Sequence, residues 1–366
     1  MLIQRLKLND YRNYESLELH PSPGLNVIAG ENAQGKTNAL EAVFLCAFGR
    51  SHRTSRDAEL IRRGMPGGYV GVTLTNALGT HTVEVKLRAD EPKKILINGQ
   101  SVKRLGELMG TLNVVLFSPG DLCIVQGGPA DRRRFMDMEL SQMYPTYFYR
   151  LQQYNVALKQ RNALLKESPM AVKPGMLAMW DEQLATLGES IIAARCRFLD
   201  EISTVAYDLH RQISGGRERL NVCYDPNVDT EAATGVREAL LERLSQSAQE
   251  DLRRGFTGVG PHRDDIAIKL EDVDLRTFGS QGQQRTAALS LKLSEIALLR
   301  DVKGEPPVLL LDDVLSELDE RRQRMLLTAS KGCQCFLTCT SLSGVEKAGI
   351  LDMEVFTCKD GRLISA

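Results

Sequence analysis

From residue 68 to residue 98 apolar and polar positions alternate, as in YVGVTLT, HTVEVKLR and KKILIN. Successive side chains of a strand point to opposite faces. The period of two therefore predicts an antiparallel meander, turned at Gly79, Pro92 and Asn98-Gly99. The run 25–29 (LNVIA) reads as a short, mainly apolar strand, 308–311 is apolar throughout, as a parallel strand covered on both faces requires, and CQCFLTCTS reads as a further strand. The segment LIQRLKLNDYRNYESLEL is read as one N-terminal strand. After residue 37 the spacing becomes helical, with Leu40, Val43, Phe44 and Ala47 on one face. Leu140, Tyr144, Tyr147, Leu151, Tyr154 and Leu158 step by three and four, as do Leu177, Trp180, Leu184, Leu187, Ile191 and Ala194. With SPMAVKPG (168–175) between them, these runs predict a helical hairpin along a shared seam, and its aromatics are read as core.

The pattern divides the chain into 1–130, with the meander, 131–255, a helical arm, and 256–366. With 366 residues, 43% hydrophobic and 25% charged, the chain is long enough for two or three lobes. It has no run of the roughly 18 apolar residues a membrane span needs, and MLIQRLKLNDYRNY lacks a signal-peptide core. The expected location is the cytoplasm. The eight cysteines lack paired zinc-site spacing and are read as buried thiols. A net charge of −1 leaves any nucleic-acid contact to local basic patches.

The strand 25–29 runs into GENAQGKT and then into the helix, a P-loop in its strand–loop–helix setting. Gly30 and Gly35 let backbone N–H groups converge on a phosphate, Lys36 reaches the β- and γ-phosphates, and Thr37 is a Mg²⁺ ligand. Downstream, the run 308–311 ends in Asp312, the second candidate for Mg²⁺, and Asp313, the candidate for handling an attacking water. FGSQGQQR precedes another apolar helix, expected to begin near Gln283. Ser280 and the first N–H groups there form either a second anion site or a plain helix cap. In DRRRFMD, Asp131 is expected to cap a helix with Arg132, Arg133 and Arg134 in its first turn. Cations there oppose the helix dipole, so an anion should face them: DNA phosphate, a partner subunit's nucleotide or nearby carboxylates. Arg50, Arg53, Arg56, Arg62 and Arg63 form a second basic segment, either a phosphate contact or a solvated surface.

The order P-loop, SQGQQ, acid pair and SELD resembles the ABC-type ATPases and their LSGGQ signature, matched at Ser280, Gly282 and Gln283 but not at Gly279 and Gln281. The N-terminal strand followed at once by the P-loop resembles the SMC-like branch. SHRTSRDAELIRRG (51–64), VLFSPGDLCIVQGGPADRRRFMD (115–137) and TGVGPHRDDIAIKL (257–270) resemble the RecF family. That resemblance implies an α/β ABC-type P-loop ATPase head with an antiparallel β subdomain and an inserted coiled-coil-like arm. It implies ATP and Mg²⁺ held by Arg12, Gly30, Glu31, Asn32, Ala33, Gln34, Gly35, Lys36, Thr37 and Asn38, with Ser280, Gln281, Gly282 and Gln283 facing the γ-phosphate of a second subunit. It further implies an ATP-gated homodimer on duplex DNA or gap junctions, contacted through Arg53, Arg132, Arg133 and Arg134, that helps RecO and RecR load RecA. A structural SMC-like chromosome protein is the alternative. Against the wider class, Thr338 and Thr340 stand where a switch histidine is common, Asp313 replaces Glu, and only Ser118 or Gln126 offers itself for the Q-loop glutamine. These departures point to slow hydrolysis. His262 in GPHRDD is open between a structural and a nucleotide-facing role.

Overall fold

The computed structural model describes residues 1–167, 174–342, 345 and 352–365. In chain order its strands are β1 (Leu2–Tyr11), β2 (Tyr14–Leu19), β3 (Leu25–Ala29), β4 (Gly67–Asn76), β5 (Gly79–Arg88), β6 (Lys94–Ile97), β7 (Gln100–Ser101) and β8 (Val114–Phe117). They continue as β9 (Leu220–Asp225), β10 (Asp265–Leu270), β11 (Val273–Asp274), β12 (Val308–Asp312), β13 (Cys335–Cys339), β14 (Met353–Lys359) and β15 (Arg362–Ser365). The helices are α1 (Lys36–Phe48), α2 (Cys123–Gln126), α3 (Pro129–Met143), α4 (Pro145–Leu165), α5 (Pro174–Ser214), α6 (Val236–Arg254), α7 (Leu275–Phe278), α8 (Gln281–Lys303) and α9 (Glu320–Ala329). None is long and apolar enough to cross a membrane.

The chain forms two compact units, residues 1–121 with 289–366, and residues 122–288. The division expected at 130/131 and 255/256 therefore falls elsewhere. The reason is strand pairing: β10 pairs antiparallel with β9, Ile266 opposite Tyr224, which binds the residues after 256 to the helical unit and carries the SQGQQ segment with them.

In the first unit the expected meander forms one sheet of order β2-β1-β4-β5-β6-β7. Its alternation is real: Leu6 and Leu8, Val70 and Val72, and Val83 and Val85 are all buried on one face. The expected single N-terminal strand is a hairpin, because Asp10 and Arg12 adopt positive φ (45° and 55°) and fold Tyr14 back opposite Tyr11. The second sheet, β15-β14-β3-β13-β12-β8, is parallel apart from the β14–β15 hairpin. Helix α1 touches β4 and β5 of one sheet and β8, β12 and β13 of the other. Covered on both sides, it is buried all round from Ala39 to Phe48 and carries little amphipathic character.

In the second unit α4 packs on α5, and α5 on α6 and β9. The helical hairpin was expected, and its seam includes Tyr147, Tyr154, Leu184 and Ile191, all buried. The first run does not continue through Tyr144, which is exposed and ends α3 before Pro145 starts α4. Of the expected break at 168–175, residues 168–173 lie outside the described residues. Not all the thiols are buried: Cys123 and Cys223 are exposed and Cys196 is intermediate.

What holds this unit is a set of buried ions converging on residues 257–265. Arg161 is fully buried between Asp181 (2.6 Å) and Asp251 (2.7 Å) and donates to Thr257 Oγ1. Arg195 joins Asp137 (2.9 Å), Tyr147 and the Pro261 carbonyl. Asp264 accepts from Tyr224 and from the Asn227 N–H. Gly260, at φ 123°, admits the Tyr154 hydroxyl, which a Cβ would meet at 2.4 Å. His262 closes the set: its Nδ1 lies 2.7 Å from the Tyr154 hydroxyl and its Nε2 3.1 Å from the Thr257 carbonyl. The carbonyl must be paired with Nε2–H, and because burial keeps the ring neutral at ordinary pH, Nδ1 accepts from tyrosine. Its role is structural within this unit.

Burial pushes the His262 pKa down from 6.5 to about 4. A histidine depressed on folding stabilises the native state above its unfolded pKa and loses that contribution as pH falls toward the folded one. Urea unfolding of the parent and of His262→Gln at pH 7.5, 6 and 5 checks this: the parent's advantage shrinks as pH drops from 6.5 toward 4, whereas a constant difference would contradict it.

Candidate functional site

β3, β13 and β12 lie side by side in parallel register, Ala29 opposite Cys339 and Thr338 opposite Asp312, so their carboxyl ends share one edge. Open α/β sheets bind ligands at that edge. The chain leaves β3 at Gly30, where a Cβ would stand 2.4 Å from the Cys358 carbonyl oxygen. It enters α1 from Gly35, whose φ of 116° and contact with the Asn13 side chain leave no room for another residue. Glu31, Asn32 and Ala33 form the exposed crest. The Lys36 ammonium folds back inside the loop, donating to the carbonyls of Gly30 (2.6 Å) and Glu31 (2.8 Å).

Thr37 Oγ1 donates to Asp312 Oδ1 at 2.8 Å, which joins the P-loop to the acid pair directly. Thr338 Oγ1 donates to the same oxygen at 2.8 Å and accepts the Asp313 N–H at 2.9 Å. A carboxylate as buried as Asp312, 8% exposed, needs such partners. Asp313 turns off the sheet at φ 50° and is half-buried, while Thr340 is exposed. The fit to Mg²⁺ is good. A hydroxyl and a carboxylate in contact are the hard oxygen pair that this ion takes beside a nucleotide's phosphates, with few protein ligands in all.

Two turns brace the loop from outside. The Gln34 carbonyl accepts from Asn13 Nδ2 (2.6 Å) and the Cys358 thiol (3.3 Å), and its side chain accepts the Asp360 N–H (2.7 Å) at the β14–β15 turn. Tyr14 donates to the Gly35 carbonyl (2.9 Å). Sequence reasoning missed these, because each brace is far away in the chain.

It also missed Glu41, fully buried on α1. Arg12 grips it with two hydrogen bonds (2.8 and 2.6 Å), Ser51 donates a third, and Arg53 stands 3.5 Å away. Burial opposes its charge, but the bonds from Arg12 and Ser51 and the nearby guanidinium charges outweigh burial and hold its carboxyl below the usual range. Arg12, expected at the cofactor, is thus tied to Glu41 and the Glu59 carbonyl. Arg53 reaches Asn38 Oδ1 (2.8 Å), and Asn38 in turn donates to Asn13. A lone carboxylate in the apolar run NALEAVF was the available signal.

In the second unit α8 begins at Gln281, two residues earlier than expected. Ser280 and Gln283 cap each other, Gln283 N–H to Ser280 Oγ (3.3 Å) and Ser280 N–H to Gln283 Oε1 (2.9 Å). Ser280 is therefore a cap, yet it, Gln281 and Gly282 are all exposed, so the helix start remains accessible. Gln283 also holds Glu218, and Gln126 is bound to Gln284 (2.7 Å), which fixes the start of α8 rather than serving a Q-loop. In the first unit Ser118 is bonded to Asp121.

The arginine run needs the largest correction. Helix α3 starts at Pro129, and Asp131 is its third residue, reaching back to the Gly128 N–H (3.0 Å) rather than capping. The arginines consequently fall after the exposed N–H groups. Arg132 is buried against Asp265 with two bonds (2.6 and 2.8 Å), and Arg133 donates to the Asp264 carbonyl (2.6 Å). A carboxylate and a backbone carbonyl face them. Arg134 alone of the three is exposed.

In the first unit a P-loop and, two strands away on the same edge of a parallel sheet, a carboxylate pair, with an antiparallel sheet alongside, and in the second unit a serine-capped SQGQQ helix start, define the head of an ABC-type P-loop ATPase. The family model "RecF/RecN/SMC N terminal domain" matches residues 2–361. The DNA replication and repair protein RecF of Alkaliphilus oremlandii is 43% identical over 366 residues, covering 99% of this chain and all of the relative, and that of Lachnospira eligens is 42% identical over 368 residues, covering 100% and 99%. A solved structure of "the recombination mediator protein RecF-ATP in RecFOR pathway" superposes with a TM-score of 0.93 at 36% identity, covering 100% of this chain and 97% of that one. An Smc head domain from Pyrococcus furiosus shares the fold at 17% identity and a TM-score of 0.57, covering 100% and 96%. The chain belongs to the RecF family.

Removing a buried charge's partner costs stability, whereas an exposed side chain costs little. Arg132→Gln should lower the unfolding free energy by about 3 kcal/mol, and Arg134→Gln by less than about 0.5 kcal/mol. Urea denaturation of the two variants measures both.

Proposed function

We propose that the carboxyl edge of the parallel sheet binds ATP with Mg²⁺ and that slow hydrolysis there switches a DNA-bound dimer of this chain on and off. The observation that carries this reading is the direct bond from Thr37 of the P-loop to Asp312. Lys36 exchanges its loop carbonyls for the β- and γ-phosphates, and the N–H groups of residues 30–37 wrap them. Thr37 and Asp312 would hold Mg²⁺, which would supply positive charge to the phosphate oxygens. Asp313 orients a water. The water oxygen bonds to the γ-phosphorus while the bond from that phosphorus to the β–γ bridging oxygen breaks. ADP leaves with the electron pair, and the proton passes to Asp313 or to the released phosphate.

Ser280, Gln281, Gly282 and Gln283 serve the γ-phosphate of a second copy, since each chain carries one P-loop. Duplex backbone contact falls to the exposed arginines Arg53, Arg56, Arg63 and Arg134. The relatives are called DNA replication and repair proteins, and one solved relative is assigned to the RecFOR pathway. On that likeness the chain works in the cytoplasm at duplex or gap-junction DNA, with RecO and RecR, toward loading RecA.

ATP turnover measured with and without duplex DNA tests the reading, with slow turnover raised by DNA as the expected result. Lys36→Ala should abolish ATP binding and ATP-dependent dimerisation, because the triphosphate loses its main cation. Asp313→Asn should keep ATP binding but slow turnover by about 10²-fold or more, prolonging the dimer in sedimentation. Turnover as in the parent would remove Asp313 from the water. Arg134→Gln should flatten the slope of log K against log salt for duplex binding by about one.

A further inference from the structure

The carboxyl edge contains a residue the reaction scheme above does not use. Thr338, buried in β13, lies opposite Asp312, and its single hydroxyl does two jobs: it donates to Asp312 Oδ1 (2.8 Å) and accepts the N–H of Asp313 (2.9 Å). A hydroxyl has one proton and two lone pairs, so both bonds can be made at once. The second matters most. Asp313 sits at φ 50°, a left-handed conformation that is unfavourable for a non-glycine residue and persists only where its surroundings fix it. At that turn the chain leaves β12, and the φ of Asp313 sets where its carboxylate points. Ser316 Oγ donates to the Asp313 carbonyl (2.7 Å), so the peptide groups on both sides of the residue are held. The Thr338 bond ties it to the neighbouring strand, through the same hydroxyl that holds Asp312.

We infer that Thr338 is a positioning residue for hydrolysis, holding Asp313 in the orientation that handles water and Asp312 in the orientation that faces Thr37. This rests on the proposed ATPase reading and adds a residue to it. The role requires a hydroxyl, not merely a side chain of that size. Valine has the same shape, fills the same space in β13, and can neither donate nor accept. Serine keeps the hydroxyl and loses one methyl.

The test measures ATP affinity and single-turnover hydrolysis separately, for the parent, Thr338→Val, Thr338→Ser, Asp313→Asn and the double variant Thr338→Val with Asp313→Asn. Thr338→Val should slow hydrolysis by about ten-fold or more while shifting ATP affinity by less than about three-fold, since misplacing a reacting group acts on turnover first. Thr338→Ser should recover most of the loss. In the Asp313→Asn background the same valine should cost clearly less than in the parent, because one of the two carboxylates it positions is already gone and only its hold on Asp312 is left to lose. Equal costs in both backgrounds, or no recovery by serine, would overturn the inference and leave Thr338 as packing. If valine prevents folding, Thr338→Ser decides by itself: a serine variant as slow as Asp313→Asn overturns the inference. A parent that binds no ATP would fail the underlying reading instead, and that is seen before any variant is made.

Discussion

One oxygen, Asp312 Oδ1, accepts hydroxyl hydrogen bonds from Thr37 and Thr338, and the first unit is arranged so that this can happen. A buried carboxylate is costly without partners, so the three strands that supply them must end together. Parallel register among β3, β13 and β12 meets that requirement, and it places the start of α1 beside the acid pair as a consequence. The wedge of α1 between two sheets then fixes its N-terminus, where the P-loop lies. The braces at Gln34 and Gly35 and the grip of Arg12 on Glu41 secure the loop on its outer side. The same charges that look like ligands in the sequence therefore act first as fasteners.

The second unit solves a related problem with ions instead of strands. Residues 257–265 make a turn with many polar groups, and Arg161, Arg195, Arg132 and Arg133 satisfy them from four directions. Buried Arg161, Arg195 and Arg132 would each be costly to leave unpaired, which ties the turn to the helices that carry them. The start of α8 is fixed in the same unit by Gln126, Gln284 and Glu218, so Ser280 is presented on a built platform while staying exposed.

Local signals were legible where the chemistry is local. The strand at 25–29, the glycines at 30 and 35, the apolar run ending in Asp312-Asp313 and the alternating meander all carry their reasons within a few residues, and the structure places them as those reasons require. Long-range pairing was not legible. Arg132 could face DNA or a carboxylate equally well until β10 brought Asp265 to it. The hairpin at Arg12 depends on positive φ at residues with no glycine to advertise it. His262 turned out structural because Tyr154, more than a hundred residues earlier, reaches its ring. The unit boundary moved for the same reason: pairing between β9 and β10 crosses the stretch where composition suggested a break.

The central claim is that each chain holds half of two nucleotide sites, the P-loop edge of one and the Ser280 helix of the other. A tethered heterodimer of one Lys36→Ala chain and one Ser280→Arg chain tests it most directly, because it puts both defects into one composite site and leaves the other whole. Tethering removes the concentration dependence of association. The account predicts almost no ATP turnover in either homodimer and a recovered fraction, up to about half of the parent's, in the heterodimer. A heterodimer as inactive as both homodimers, together with a Ser280→Arg monomer that no longer binds ATP, would contradict it and assign Ser280 to its own chain's nucleotide.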